Sequence, residues 1–124
     1  MRLGQTDSVL GAAPLFHIAG MVAHLAVAMT AGLPLVHFYR FDPLEALRAI
    51  QRWRPTMTVA AITAFLSLRN VSDVKRSDLS SLSRCYSGGA PIAPSIVERF
   101  EEQFGVVGLR DDYRGETVKA FVAL

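Results

Sequence analysis

Two stretches of this 124-residue chain carry residue types that could do chemistry. In Ser87-Gly88-Gly89-Ala90-Pro91, adjacent glycines open backbone angles closed to other residues. They also leave a face without side chains, against which a flat ligand can lie. A strand, a glycine turn and a helix start is where open α/β sheets place ligands. The same residues equally suit a plain strand-to-helix connection. In Pro14-Leu15-Phe16-His17-Ile18-Ala19-Gly20, an aromatic–histidine pair stands at a predicted helix start. An imidazole there can line or gate a pocket, or serve as a capping or core histidine.

Other chemistries find less support. His17 and His24 could share a helix face, but no third ligand stands at a metal-site spacing. Ser87 lacks the flanks of a nucleophile elbow. The glycine–lysine phosphate loop and the dinucleotide fingerprint are both absent. Asp111, Asp112 and Glu116 read as a solvated turn. Cys85 is the only cysteine, which rules out an intrachain disulfide and points to a reducing compartment, the cytoplasm. Its apolar setting suits a buried, inert thiol.

The elements that must position these residues alternate between strand and helix. Residues 8–13 read as a short buried strand ended by Pro14, and 17–31 as a helix rich in Ala, Met and Leu. Gly32 suits its C-terminal cap and Pro34 its stop, before a strand at 35–39. Asp42-Pro43-Leu44-Glu45 is the clearest helix start. Asp42 caps, Pro43 takes the first position, and Glu45 supplies a capping-box carboxylate. The helix reaches Trp53, with Leu44, Leu47 and Ile50 on one face and Arg48 and Arg52 outward. A β-rich run at 57–62, a short helix at 64–69, a polar loop at 71–83 and a strand at 84–87 follow. After the glycine turn come a helix at 94–104, capped by Gly105, and strands at 106–109 and 117–124. The alternation predicts an α/β fold with a parallel sheet and flanking helices.

Bulk properties narrow the function. Lys and Arg total 13 against 11 Asp and Glu, and no basic run is interleaved with aromatics, so nucleic-acid binding is not indicated. Hydrophobic residues make up 51% and the mean hydropathy is +0.29. Much of that comes from residues 8–39, which hold no Asp, Glu, Lys or Arg. A membrane span needs about 20 apolar residues. Pro14, Pro34, three histidines and three glycines argue instead for core elements buried on both faces, without periodicity. A small membrane protein built on 8–39 remains the alternative. No signal-type N-terminus is present.

Three blocks together go further. Pro-Leu-Phe-His-Ile-Ala-Gly (14–20), Asp-Leu-Ser-Ser-Leu-x-Arg-x-x-Ser-Gly-Gly-Ala-Pro-Ile (78–92) and Tyr-Arg-Gly-Glu-Thr-Val-Lys-Ala-Phe-Val (113–122) resemble the acyl-CoA synthetase branch of the AMP-forming adenylating enzymes. Arg54-Pro55-Thr56 lies between the first two, as in that family. The resemblance implies a two-step reaction. A carboxylate attacks ATP to give an acyl-adenylate and pyrophosphate, and the CoA thiol then displaces AMP. It implies ATP/AMP, CoA and Mg2+ as cofactors and a fatty or aromatic carboxylic acid as substrate. By it, Gly88, Gly89, Ala90 and Pro91 pack on the adenine, while Phe16 and His17 line the acyl pocket.

The chain also departs from the pattern. The family's phosphate loop belongs before Leu3, and a Val-Pro-Thr block is altered to Ala61-Ile62-Thr63. From Val106 the chain passes straight into Val107-Gly108-Leu109-Arg110-Asp111, which looks like the family's small C-terminal domain. The ribose-binding aspartate, the hinge and the C-terminal lysine find no counterpart. The expectation is a fragment with a large internal deletion. Residues 1–106 would be a partial AMP-binding domain of the large N-terminal type, and 107–124 a short β segment of the small C-terminal domain. Such a chain is expected to lack adenylation activity alone, and to self-associate through exposed edges. A non-catalytic adenine- or acyl-binding module is the other alternative.

Overall fold

A computed structural model describes residues 3–87, 106–111 and 115–120, the last two segments as backbone strands. Apolar β-formers supply short strands: β1 (Val9–Gly11), β2 (Leu35–His37), β3 (Met57–Ala60), β4 (Arg84–Ser87), β5 (Val106–Asp111) and β6 (Gly115–Ala120). They form one sheet in the order β2-β1-β3-β4-β6-β5. The first four are parallel, with Val9 opposite Leu35 and Met57, and Met57 opposite Arg84. β6 joins β4 antiparallel, and β5 pairs with β6 as a hairpin. The fold is α/β, as the alternation of elements predicts.

Neighbouring residues of β1 point to opposite faces, and each face has its own core. Val9 packs with Ala28, Leu33 and Met57. Leu10 packs with Leu47, Ile50, Leu79, Leu82 and Cys85. The first face is covered by a helix in two parts: a π-wound segment, Ala19–Ala26, running on as α1 (Val27–Ala31). Gly32 ends it at φ 64°, a left-handed cap that favours glycine. The second face is covered by α2 (Pro43–Trp53), with α3 (Ile62–Arg69) beside it. The chain therefore leaves β1 over one face and returns from β2 to β3 over the other. That reversal makes the β1/β3 boundary a topological switch point.

α2 begins as its sequence dictates. The Asp42 carboxylate accepts the amides of Leu44 and Glu45, and Pro43 opens the helix. Glu45 turns to Arg48 rather than closing a reciprocal capping box. Ala46, Leu47 and Ile50 are buried, while Leu44 stays half exposed. β4 falls on the expected 84–87, the other described strands and helices start or stop one to four residues from expectation, and the helix expected at 94–104 lies outside the described residues. α3 begins at Ile62, because Ala61 takes the extended N-cap conformation that ends β3. A 3-10 turn, Val74–Arg76, interrupts the predicted loop 71–83.

One expectation fails. β1 is buried on both faces, but the helix at 19–31 is not. Gly20, His24 and Ala28 face inward at every fourth position, while Phe16 (91% exposed), Ile18 (65%) and Met29 (74%) face outward. Among the described residues nothing covers that outer face. Uniform hydropathy hid a one-sided helix. Among the described residues no helix is long and apolar enough to cross a membrane.

The strand starts are tied by one carboxylate. Buried Asp7 accepts the Gly4 amide at 2.7 Å and the Thr56 hydroxyl at 2.8 Å, and pairs with the Arg84 guanidinium. β1, β3 and β4 are thereby fixed at the end opposite their carboxyl termini. The block at 78–82 also has a structural basis. Leu79 and Leu82 fill the core, Asp78 accepts the Ser80 amide, and Arg54 bonds Asp78 at 2.7 Å.

Candidate functional site

Beyond the carboxyl ends of β1 and β3, the backbone opens into a pocket of about 390 Å3. Ala12, Ala13 and Pro14 continue from β1, and Val59, Ala60 and Ala61 come from β3 and its end. His17 and Ala19 close one side, and Thr63, Ala64 and Ser67 of α3 the other, with Phe41 alongside. The volume lies near the lower end of the range for small-ligand sites, about 300–1,000 Å3. Among the described lining residues there is no Asp, Glu, Lys or Arg. The pocket suits an apolar group that ends near one imidazole.

Local geometry builds this wall. The His17 amide donates to the Pro14 carbonyl at 3.0 Å, and the Met21 amide donates to the His17 carbonyl at 2.9 Å. The ring nitrogen Nδ1 of His17 accepts the Ala19 amide at 3.1 Å, which puts the proton of a neutral ring on Nε2. Gly20 makes the turn possible. A Cβ there would stand 2.0 Å from the Pro14 carbonyl oxygen and 2.7 Å from that of Ala13. The spacing from Pro14 to Gly20 thus has a mechanical reason: the helix starts directly on the residues that end β1.

Of the sequence-predicted site residues, His17 lines the pocket. Phe16 does not; its ring projects to solvent. Gly88, Gly89, Ala90 and Pro91 lie outside the described residues, but Ser87, where they begin, is the buried end of β4, directly beside Ala60. The Ser87 hydroxyl is buried without a hydrogen-bond partner among the described residues. Sequence reasoning missed Phe41, Thr63, Ala64 and Ser67. The signal was the run of small residues Ala60-Ala61-Ile62-Thr63-Ala64 at a strand–helix junction, where short side chains leave room.

His24 lies beneath the pocket and is fully buried. Its Nε2 is 2.8 Å from the Val59 carbonyl and 3.3 Å from the Val59 amide. One nitrogen cannot serve both. The shorter contact favours Nε2–H as the donor, and among the described residues Nδ1 has no partner that meets hydrogen-bond geometry. Burial holds the imidazole below its ordinary pKa. The Val59 carbonyl opposes this, His37 adds to it, and the Ala13 carbonyl opposes it weakly. Burial likewise pushes the Cys85 thiol up to about 12, which fits the inert cysteine expected. Among the described residues no cluster of three or more His, Cys, Asp or Glu is placed to hold a metal ion.

The family model of the AMP-binding enzymes matches residues 1–112. The chain is 32% identical over 99 residues to a long-chain-fatty-acid–CoA ligase of Bacillus subtilis, covering 80% of this chain and 18% of the relative. It is 37% identical over 100 residues to a 4-coumarate–CoA ligase-like protein of Oryza sativa subsp. japonica, covering 81% and 18%. Among solved structures it matches o-succinylbenzoate coenzyme A synthetase of Bacillus subtilis in complex with AMP, with a TM-score of 0.71 and 30% identity, over 82% of this chain and 20% of that one. The chain thus spans about a fifth of the length of the relatives it matches.

Proposed function

Because the chain belongs to the AMP-binding enzyme family, we propose that it forms the acid-binding part of an AMP-forming acyl-CoA ligase. The carrying observation is the apolar pocket at the β1/β3 switch point, with His17 in its wall and the end of β4 beside it. In this reading the pocket takes the hydrocarbon or aromatic part of a carboxylic acid, and the Nε2–H of His17 faces its polar end. Gly88 to Pro91, continuing from Ser87, pack on the adenine of ATP and of the acyl-adenylate. The carboxylate displaces pyrophosphate from ATP to give the acyl-adenylate, and the CoA thiol then displaces AMP. Residues 12–19 and 59–67 exclude water and orient the acid. They move no proton, and no step is assigned to Mg2+ on this chain.

The same proposal makes 1–106 a partial AMP-binding domain and 107–124 a segment of the small C-terminal domain. It places the protein in the cytoplasm, self-associating through the edges at β2 and β5. Charge stabilisation around transferring phosphates comes from Lys, Arg and metal groups, which these elements do not bring to the pocket, so the 124 residues alone are catalytically silent. Two measurements test this. The fluorescent fatty acid cis-parinarate should bind and be displaced by a fatty acid or by 4-coumarate. Pyrophosphate release with ATP, CoA and those acids should not exceed a boiled control. Absence of binding contradicts the acyl site, and turnover contradicts the silence.

A further inference from the structure

We infer that His24 is a positioning residue for this pocket: through its bond to Val59 it holds the π-wound segment against β3 and sets the separation of the pocket walls. The inference rests on the acyl-pocket reading above. Its basis is where the hydrogen bond goes. A fully buried imidazole costs desolvation that a leucine or methionine would not. The shorter contact of its ring leaves its own helix and ends on the carbonyl of Val59, a lining residue. His17 and Ala19, at the head of the same helix, form the facing wall. The segment between is π-wound, a geometry that is rare in proteins and concentrated at functional sites. Two ties fix that segment: Gly20 seated on the Pro14 carbonyl, and His24 on Val59. The first anchors the wall to the end of β1. The second is a hydrogen bond to β3 at a lining residue, so it bears directly on the width of the gap.

The test uses the whole chain with cis-parinarate as probe, and His24→Met, His24→Gln and Ala64→Leu variants. Gln keeps an N–H for the Val59 carbonyl; Met fills similar volume without one. His24→Met should fold, with a urea midpoint near wild type, yet bind the probe between about ten and a hundred times more weakly, the loss that an ångström-scale misplacement brings. His24→Gln should restore binding to within about threefold, because the donor and not the ring carries the effect. A folded Met variant that binds like wild type, while Ala64→Leu abolishes binding, overturns the inference and leaves the acyl site standing. A wild-type chain that does not bind the probe removes the acyl site, and the inference with it. Should His24→Met not fold, the imidazole 15N spectrum of the wild type decides. A slowly exchanging Nε2–H that shifts when the probe is added supports the positioning role. An Nδ1–H tautomer, fast exchange or no shift overturns it.

Discussion

Gly20→Ala isolates the contact on which the pocket wall is built. The added Cβ would lie 2.0 Å from the Pro14 oxygen, 2.5 Å from its carbonyl carbon and 2.7 Å from the Ala13 oxygen. All three are backbone atoms, so no rotamer change relieves them. Restoring an ordinary contact near 3.4 Å moves the helix head from residues 13–14 by about 1.4 Å. That shift breaks or stretches the bond from the His17 amide to Pro14 and carries His17 and Ala19 with it. Alanine's better helix propensity returns up to about 1 kcal/mol. Over-packing costs typically 1–3 kcal/mol and sometimes more, and a clash against backbone belongs at the top of that range. The net loss is about 2 kcal/mol. In urea, with a slope of about 1–3 kcal/mol per molar, the midpoint falls by roughly 1 M. In the same samples cis-parinarate binding should drop by at least about tenfold, since the wall itself has moved. A variant with an unchanged midpoint and unchanged binding would show that the helix does not start on Pro14, and would refute the construction.

Three further outcomes follow from the same geometry. Asp7→Ala should cost about 3 kcal/mol, the low end for breaking a buried ion pair because the Arg84 side chain is 22% exposed, measurable by urea unfolding at pH 7. The Gly4 amide first, then Thr56 and Arg84, hold the Asp7 carboxyl below 3.8 against its burial. Its stabilisation is therefore complete above 3.8 and is lost as pH falls through the lowered folded value, a loss that Asp7→Asn should flatten in an acid titration. Ala64→Leu should fill the pocket from α3 and abolish cis-parinarate binding while leaving the unfolding free energy within about 1 kcal/mol of wild type, since it adds bulk to open space and not to a packed core. Cys85 should stay unreactive to a thiol reagent at pH 8 until urea unfolds the chain; fast native labelling would contradict its burial.

Where local chemistry decides structure, the sequence was explicit. Asp42-Pro43 starts α2 and the run 84–87 is β4, because capping, proline geometry and β-propensity act over a few residues. The four parallel strands followed from alternation alone. The π winding at Ala19–Ala26 was not legible, since Ala, Met and Leu specify a helix without specifying its pitch. Nor was the outward face of that helix, because hydropathy without charge contrast gives no direction. His17 was found from its place beside a strand end. The far wall was missed because alanines in a pocket differ from alanines in a core only by what they fail to touch. His24 stood out only as a residue that could share a helix face with His17, and only Val59, 35 positions away, shows what it holds.

The central claim is that the space beyond β1 and β3 receives the acyl part of a carboxylic acid. Backbone 15N–1H shifts of the chain, followed as dodecanoate or 4-coumarate is added, test it most directly. The account predicts saturable shifts gathered at residues 12–19 and 59–67, with β2 and the hairpin β5–β6 unmoved. Shifts confined to the outer face at Met21 and Met29, or none at saturating acid, would contradict it.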